Sequence, residues 1–427
     1  MVRLVRRIIP ESAHPSGFRI GKLLSAVQSS TMSSTLQTDV VIIGASASGL
    51  MCAIHAGRRG RKVILLDHAE KAGKKILIAG GGRCNFTNYE VSAENYLSHN
   101  PHFCKSALSR FTQWDFIAMM EEHQIPYHER DHGQLFCDES ARDILDMLLS
   151  ECRKADITIQ LNTKIESIEK VDQQFTIQTD KQAVQGRSLV IASGGLSIPK
   201  MGASPLGYRI AKQFGHTIRP TTAGLVPFTL HAQDRERFGT LSGIAVEVVV
   251  SSERNQFREN MLFTHRGLSG PAILQISSYW KPGESIEIKL LPDLDLIEHL
   301  TTEQQSHPNS QLKSCINKLL PKRLVALLLT QQQAERPLRS LSQQELEEVS
   351  EQLQRWTIQP NGTEGYRTAE VTLGGVDCDE LSSKTMESKK EPGLYFVGEV
   401  MDVTGWLGGY NLQWAWSSGW CAGGAVN

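Results

Sequence analysis

The stretch DVVIIGASASGLMCAIHAGRRGRKVILLD, residues 39–67, narrows the possible folds of this chain further than any other. A β-branched run from Val40 to Ile43 ends at Gly44. Apolar positions at helical spacing follow from Ser48 to about Arg59, and a second apolar run from Val63 to Leu66 closes on Asp67. Strand, glycine turn, helix, strand and acid form the βαβ unit that holds the ADP half of a dinucleotide. Gly44 allows the tight turn and Gly49 allows the helix to lie close to the sheet. Ser46 stands where the motif usually has its middle glycine; it is small, and its hydroxyl can donate to a phosphate oxygen. The opening amides near Ala47 and Ser48 face the pyrophosphate, where the helix dipole favours negative charge. Asp67 is placed to accept hydrogen bonds from ribose hydroxyls. The small residues Ala53 and Gly60 fall where helix and sheet meet.

Composition removes several classes. With 45 basic and 46 acidic side chains the formal charge is -1, which recommends neither nucleic acid nor an anionic membrane as a bulk partner. No run reaches the ~18 apolar residues of a membrane-spanning helix. Eight cysteines occur without a CxxC pair, arguing against a structural zinc site and a flavin disulfide relay. Scattered single cysteines suit a reducing, cytoplasmic setting. At 427 residues there is room for two or three domains.

Residues 1–38 differ from the rest, with Arg3, Arg6, Arg7, Arg19 and Lys22 against the single acid Glu11. They read as a disordered leader, or as sequence upstream of a start at Met32. Beyond Asp67, Gly80-Gly81-Gly82 precede Arg83, Cys84 and Asn85, making a loop whose amides can approach a ligand. Arg83 is a candidate phosphate partner; Cys84 reads as a flavin-facing thiol or a small packing residue. Helical spacing spans residues 103–123 and 140–154, and residues 158–168 and 175–179 alternate as strands of a small sheet. Ser188 to Gly195 reads as a buried strand ending on a double glycine, with Ser193, Gly194 and Gly195 at a cofactor edge. Residues 221–296 are strand-rich around FTHRGLSGP, where His265 is a candidate proton donor. Residues 297–360 are helical, interrupted at Pro321 and Pro337. In the last segment, residues 361–427, an apolar strand ends at Gly398-Glu399, and Gly408-Gly409 open a helix near Asn411. Glu399 is placed to accept from flavin ribityl hydroxyls, and the helix amides to face the flavin ring. Four of the seven tryptophans (406, 414, 416, 420) lie here and read as packing.

The segments GASASGLMCA, KKILIAGGGRCNFTN, LFTHRGLSGP, AEVTLGGV, TMESK and GLYFVGE through GGYNLQWAWSSG together resemble the BaiN/YhiN family of FAD-dependent flavoproteins, which includes aminoacetone-oxidase-like proteins. The resemblance implies an α/β fold. Its Rossmann-like FAD domain comes from both chain ends, residues 39–220 and 361–427, with a β-rich and a helical insert between. It implies that residues 44–49, Asp67, residues 81–85 and residues 398–412 surround FAD. Gly44, Ser46, Ala47, Ser48, Gly49, Asp67, Lys75, Gly81, Gly82, Arg83, Cys84, Asn85 and Ile165 are therefore candidate contacts. So are Ser193, Gly194, Gly195, Gly398, Glu399, Asp402, Gly409, Tyr410, Asn411 and Leu412. Two departures stand out: Ser46, and GQLFC at 133–137, where many members carry an arginine and a proline. Members reduce steroid-like enones or oxidise small amines. The expectation is hydride transfer between FAD and a small organic substrate, with NAD(P)H as candidate donor although no second dinucleotide fingerprint is present. A flavin-dependent RNA-modifying protein and a non-catalytic flavin-binding protein are the alternatives.

Overall fold

The computed structural model describes residues 35–427. The expectation for residues 1–38 falls almost wholly outside them. Leu36–Gln37, inside the expected leader, pairs in parallel with Ala183–Gly186, so the ordered fold begins before Asp39.

Five parallel strands form the central sheet: β1 (Val40–Ile43), β2 (Val63–Leu66), β3 (Thr158–Gln160), β4 (Ser188–Ile191) and β5 (Leu394–Phe396). Their spatial order is β5-β4-β1-β2-β3. All residues of β1, β2, β4 and β5 are buried, which explains why these runs, Ser188 apart, are apolar throughout rather than alternating. Each such side chain stabilises the fold by about 1.5–3 kcal/mol. Helix α1 (Ala47–Arg58) follows β1, and α2 (Tyr410–Gly423) follows β5.

These two helices lie against each other with almost no side chain between them. A Cβ on Gly419 would sit 2.4 Å from the Ser48 carbonyl oxygen, and one on Gly423 would sit 2.6 Å from that of Cys52. Around the contact, Trp416 donates its indole N–H to the Phe86 carbonyl at 2.9 Å, and Trp414 donates to that of Gly398 at 3.2 Å. Both rings are fully buried, so packing is their task.

Three expected elements divide differently. The helix anticipated over residues 103–123 is two helices, Lys105–Arg110 and Gln113–Glu122. Thr112 is extended between them, and its N–H and hydroxyl both bond Asp115 at 2.7 Å, so the second helix starts on a capping box. The strand expected over 158–168 is split at Asn162, whose φ is 50°. Its first part extends the central sheet, while Ile165–Val171 joins a separate four-stranded sheet. The strand-rich and helical inserts share one apolar core, running from Phe228 to Ile358 and including Leu300, Leu346 and Leu353. The chain enters and leaves this insert on paired antiparallel strands, Ile218–Gly224 and Val371–Val376. Among the described residues no helix is long and apolar enough to cross a membrane.

Gly419→Ala should destabilise the protein by about 1–3 kcal/mol, since its methyl has no space. Gly239→Ala, at a helical glycine where an added Cβ would meet nothing within 4 Å, should be neutral or slightly stabilising. Urea denaturation midpoints compare the two; equal midpoints would show that α1 and α2 are not in tight contact.

Candidate active site

A cavity of about 960 Å³ runs along the carboxyl ends of β1, β2, β4 and β5 and extends to the insert. It lies at the upper end of the ~300–1,000 Å³ typical of ligand pockets. Its position at the strand ends, where the first crossover helix begins, is the usual ligand crevice of an open α/β sheet.

The wall near α1 contains Gly44, Ser46, Ala47 and Ser48. Gly44 has φ 116°, and a Cβ there would lie 2.2 Å from the Ala192 carbonyl oxygen, so only glycine makes this turn. Ser46 is the N-cap residue of α1, yet its side chain makes no cap bond and the first turn carries no acid. Among the described residues the amides of Ala47, Ser48 and Gly49 have no acceptor, while Leu50 N–H reaches the Ser46 carbonyl at 2.8 Å. Such an end is an anion site. Gly49 itself lies off the wall; a Cβ there would meet the Gly44 carbonyl oxygen at 1.9 Å, so its part is to let helix and turn meet.

Asp67 accepts from Ala45 N–H at 2.7 Å through one oxygen and from Ala69 N–H at 2.8 Å through the other. Two of its roughly four lone-pair positions are thus occupied by the turn, and the rest face the cavity. The carboxylate thus fixes the turn after β1 while still lining the cavity.

At the far end α2 opens in the same way. Its N-cap Gly409 has φ 93° and no side-chain cap, and its first turn has no acid. The amides of Tyr410, Asn411 and Leu412 find no acceptor among the described residues, while Gln413 N–H bonds Gly409 O at 3.0 Å. Gly409, Asn411 and Leu412 line the cavity; Tyr410 turns inward, where its carbonyl accepts from the Tyr96 hydroxyl at 3.0 Å. The Asn411 side chain is committed elsewhere, bracing Gly405 N–H and carbonyl at 2.8 Å each. Polar contacts of this turn with a ligand are therefore left to its backbone amides.

Glu399 also lines the cavity, but three groups of the chain already bind it: Lys75 Nζ at 2.8 Å, Thr372 N–H at 2.9 Å and Ser197 Oγ at 3.1 Å. Burial acts to raise its pKa, and the Lys75 charge and these hydrogen bonds outweigh it, leaving the carboxyl below its ordinary value. Lys75, Gly81, Asn85, Ile165, Ser193, Gly194 and Gly195 share the wall.

The remaining expected contacts are elsewhere. Gly82 and Arg83 lie off the wall, the arginine being exposed beyond the turn. Cys84 is fully buried, and burial raises its thiol pKa well above the usual range, so it packs rather than reacts. Gly398 is buried against Ser48, with 2.6 Å between a Cβ and the Ser48 hydroxyl. Asp402 points to the His99 N–H at 2.8 Å and joins two loops. His265 is exposed at the tip of the turn joining Gln256–Phe263 to Gly267–Ser269 and does not reach the cavity. The Thr264 hydroxyl, accepting from the amides of Arg266 and Gly267, shapes that turn.

Several wall residues had no sequence signal strong enough to single them out. His132, Gln134 and Arg130 come from the hairpin of strands Tyr127–Arg130 and Gln134–Cys137, and Glu259 and Asn260 from the insert. His132 Nε2 and Glu259 Oε1 are 3.1 Å apart, joining the two parts of the molecule across the cavity. A histidine-glycine pair between two strands is a visible turn, but its partner 127 positions away is not.

Two uncapped helix N-termini and a carboxylate at the end of β2 fit an extended dinucleotide whose pyrophosphate is anionic and whose flavin ring gains negative charge on reduction. Fold and site together define an FAD-binding oxidoreductase of the Rossmann type. Residues 38–425 match the family model described as HI0933-like protein Rossmann domain, and the chain belongs to that family. It is 57% identical over 389 residues to the ribosomal RNA dihydrouridine synthase of Escherichia coli, covering 90% of this chain and 97% of that protein. The Haemophilus influenzae protein of the same name is 49% identical, with the same coverage. The 3-dehydro-bile acid delta(4,6)-reductase of Clostridium scindens is 29% identical over 403 residues, 90% of this chain and 98% of that one.

Lys75→Met should strand Glu399 without its cation and lower stability and FAD retention at pH 7. The lowered pKa of Glu399 means that the pair contributes above the ordinary carboxylate range near 4.5 and is lost as pH falls through the lower folded value. The difference in melting temperature between wild type and Lys75→Met should therefore shrink from pH 7 to pH 4. A constant difference would show that the pair does not set the charge of Glu399.

Proposed function

We propose that this protein is a flavin-dependent reductase of uridine in ribosomal RNA, forming dihydrouridine. The observation carrying this reading is the 57% identity across 97% of the E. coli ribosomal RNA dihydrouridine synthase. Bound FAD supplies the hydride, with a reduced nicotinamide as the candidate electron source. The uracil C5=C6 bond is conjugated to the C4 carbonyl, so hydride adds at C6 and a proton at C5. The Clostridium relative is likewise named for reduction of ring double bonds. In this reading the cavity beside Gly408-Gly409 takes an unstacked base, as enzymes acting on a nucleobase require.

The charge balance had favoured a small organic substrate and no nucleic acid. Net charge is a bulk property and says nothing of which charges on the cavity wall are left without a partner. Lys71, Lys74, Lys164 and Arg209 line the cavity with no carboxylate of the described residues within salt-bridge distance. Such cations support an anionic backbone as well as a pyrophosphate. An RNA substrate is consistent with a cytoplasmic site of action.

Purified holoprotein, NADH or NADPH and unmodified ribosomal RNA should yield dihydrouridine, detected by nucleoside mass spectrometry as a gain of two hydrogens. RNA left unchanged while a small conjugated enone is reduced would overturn the RNA reading in favour of a small substrate.

A further inference from the structure

Hydride addition leaves the ring in need of a proton, and delivery by a positioned side chain accelerates such a step by about 10²–10⁴-fold. No cysteine or tyrosine among the described residues lines the cavity, and all eight cysteines are buried. Two imidazoles line it, His68 and His132. His68 lies 3.5 Å from Asp67, at the ribose end. His132 is held at the other end.

Its placement is unusual for a surface-turn histidine. Its φ is 59° and ψ 34°, a left-handed conformation seldom taken by a residue with a Cβ. The Asn88 side-chain amide donates to the His132 carbonyl at 2.9 Å and to the Gly408 carbonyl at 3.1 Å. One amide thus ties the His132 turn to the turn that opens α2. The ring is secured separately: Nε2 faces Glu259 Oε1 at 3.1 Å, from strand Gln256–Phe263 of the insert. Nδ1 has no partner in the chain among the described residues. The Glu259 side chain is only 20% exposed, whereas that of His132 is 58% exposed and open to water.

We propose that His132 is the catalytic residue that donates a proton to C5 of the uracil ring, with Glu259 as the positioning residue that orients its imidazole. The assignment rests on the uridine-reducing reading above. As the C5=C6 π bond breaks, C6 gains a hydride, whose two electrons come ultimately from the reduced nicotinamide. The π pair moves to C5, delocalised onto the C4 oxygen, and forms a C–H bond with the proton leaving the His132 imidazolium. Neutral imidazole then regains a proton from water at its exposed edge. The ring gains two hydrogens overall, and the nicotinamide is oxidised.

His132→Gly gives a direct test, because glycine accepts this backbone conformation without strain. In stopped-flow work on the holoenzyme, reduction of the flavin by the nicotinamide should keep its rate. Reoxidation by uridine-containing ribosomal RNA should slow by about 10²–10⁴-fold. Added imidazole should restore part of that rate, and Glu259→Gln should show a smaller loss. The affinity of the oxidised holoprotein for a short uridine-containing RNA, read by fluorescence anisotropy, should be the same in wild type and His132→Gly. Reoxidation of His132→Gly at the wild-type rate overturns the assignment alone. A loss that imidazole does not restore, or one matched by weaker RNA binding, makes His132 structural and also overturns it. A wild-type enzyme that leaves uridine unreduced overturns the substrate reading and this assignment with it.

Discussion

The helix pair α1–α2 is the contact on which the rest of the site depends. Gly419 and Gly423 bring one helix backbone against the other, and neither position has room for a methyl group. Gly398 adds a third close approach, against Ser48. Because the helices are locked in this way, their uncapped N-termini stay at fixed positions along one cavity. Side-chain caps would have satisfied those amides locally, as Ser140, Asp295 and Ser342 do for helices elsewhere in the chain. Leaving them open costs stability unless an anion occupies them. Glycine packing and missing caps are therefore two sides of one arrangement: the first holds the amides still, and the second keeps them available.

Charge inside the cavity follows similar logic. Lys75 and Glu399 come from segments more than three hundred residues apart and meet at 2.8 Å beneath the glycines at the end of β4. Their pairing fixes the loop at residues 193–197, since Ser197 and Thr372 complete the carboxylate's shell. Asp67 likewise spends part of its charge on Ala45 and Ala69 before any ligand is considered. The acids of this site shape the backbone around the cavity that they line.

Much of this was legible in the sequence. The runs Val40–Ile43 and Val63–Leu66 coincide with β1 and β2, because strands buried on both faces leave an uninterrupted apolar signature. The join of chain ends was legible only through the family resemblance, which the segments around residues 80–85 and 408–412 help to carry. Residues whose role depends on tertiary pairing were not. Glu399 and Asp402 sit close together in sequence, but one faces the cavity and the other a loop. His265 lies in a glycine-rich turn that suggested chemistry, yet that turn only reverses a hairpin. His132 had the weaker local pattern and gained its place through Asn88 and Glu259, contacts that no periodicity encodes.

The antiparallel ribbon of Ile218–Gly224 and Val371–Val376 has a consequence for the order in which the chain is made. The segment between its strands packs around its own apolar core, from Phe228 to Ile358, and is complete in sequence before the last strand of the central sheet. The central sheet, by contrast, has to wait. After β2 emerges, more than three hundred residues must be synthesised before β5 and α2 arrive. At about 5–20 residues/s that interval lasts on the order of tens of seconds. Throughout it, the face of α1 that will meet Gly419 and Gly423 has no cover, and the second row of amides does not exist. The second helix end of the cavity is therefore the last part of the site to be synthesised.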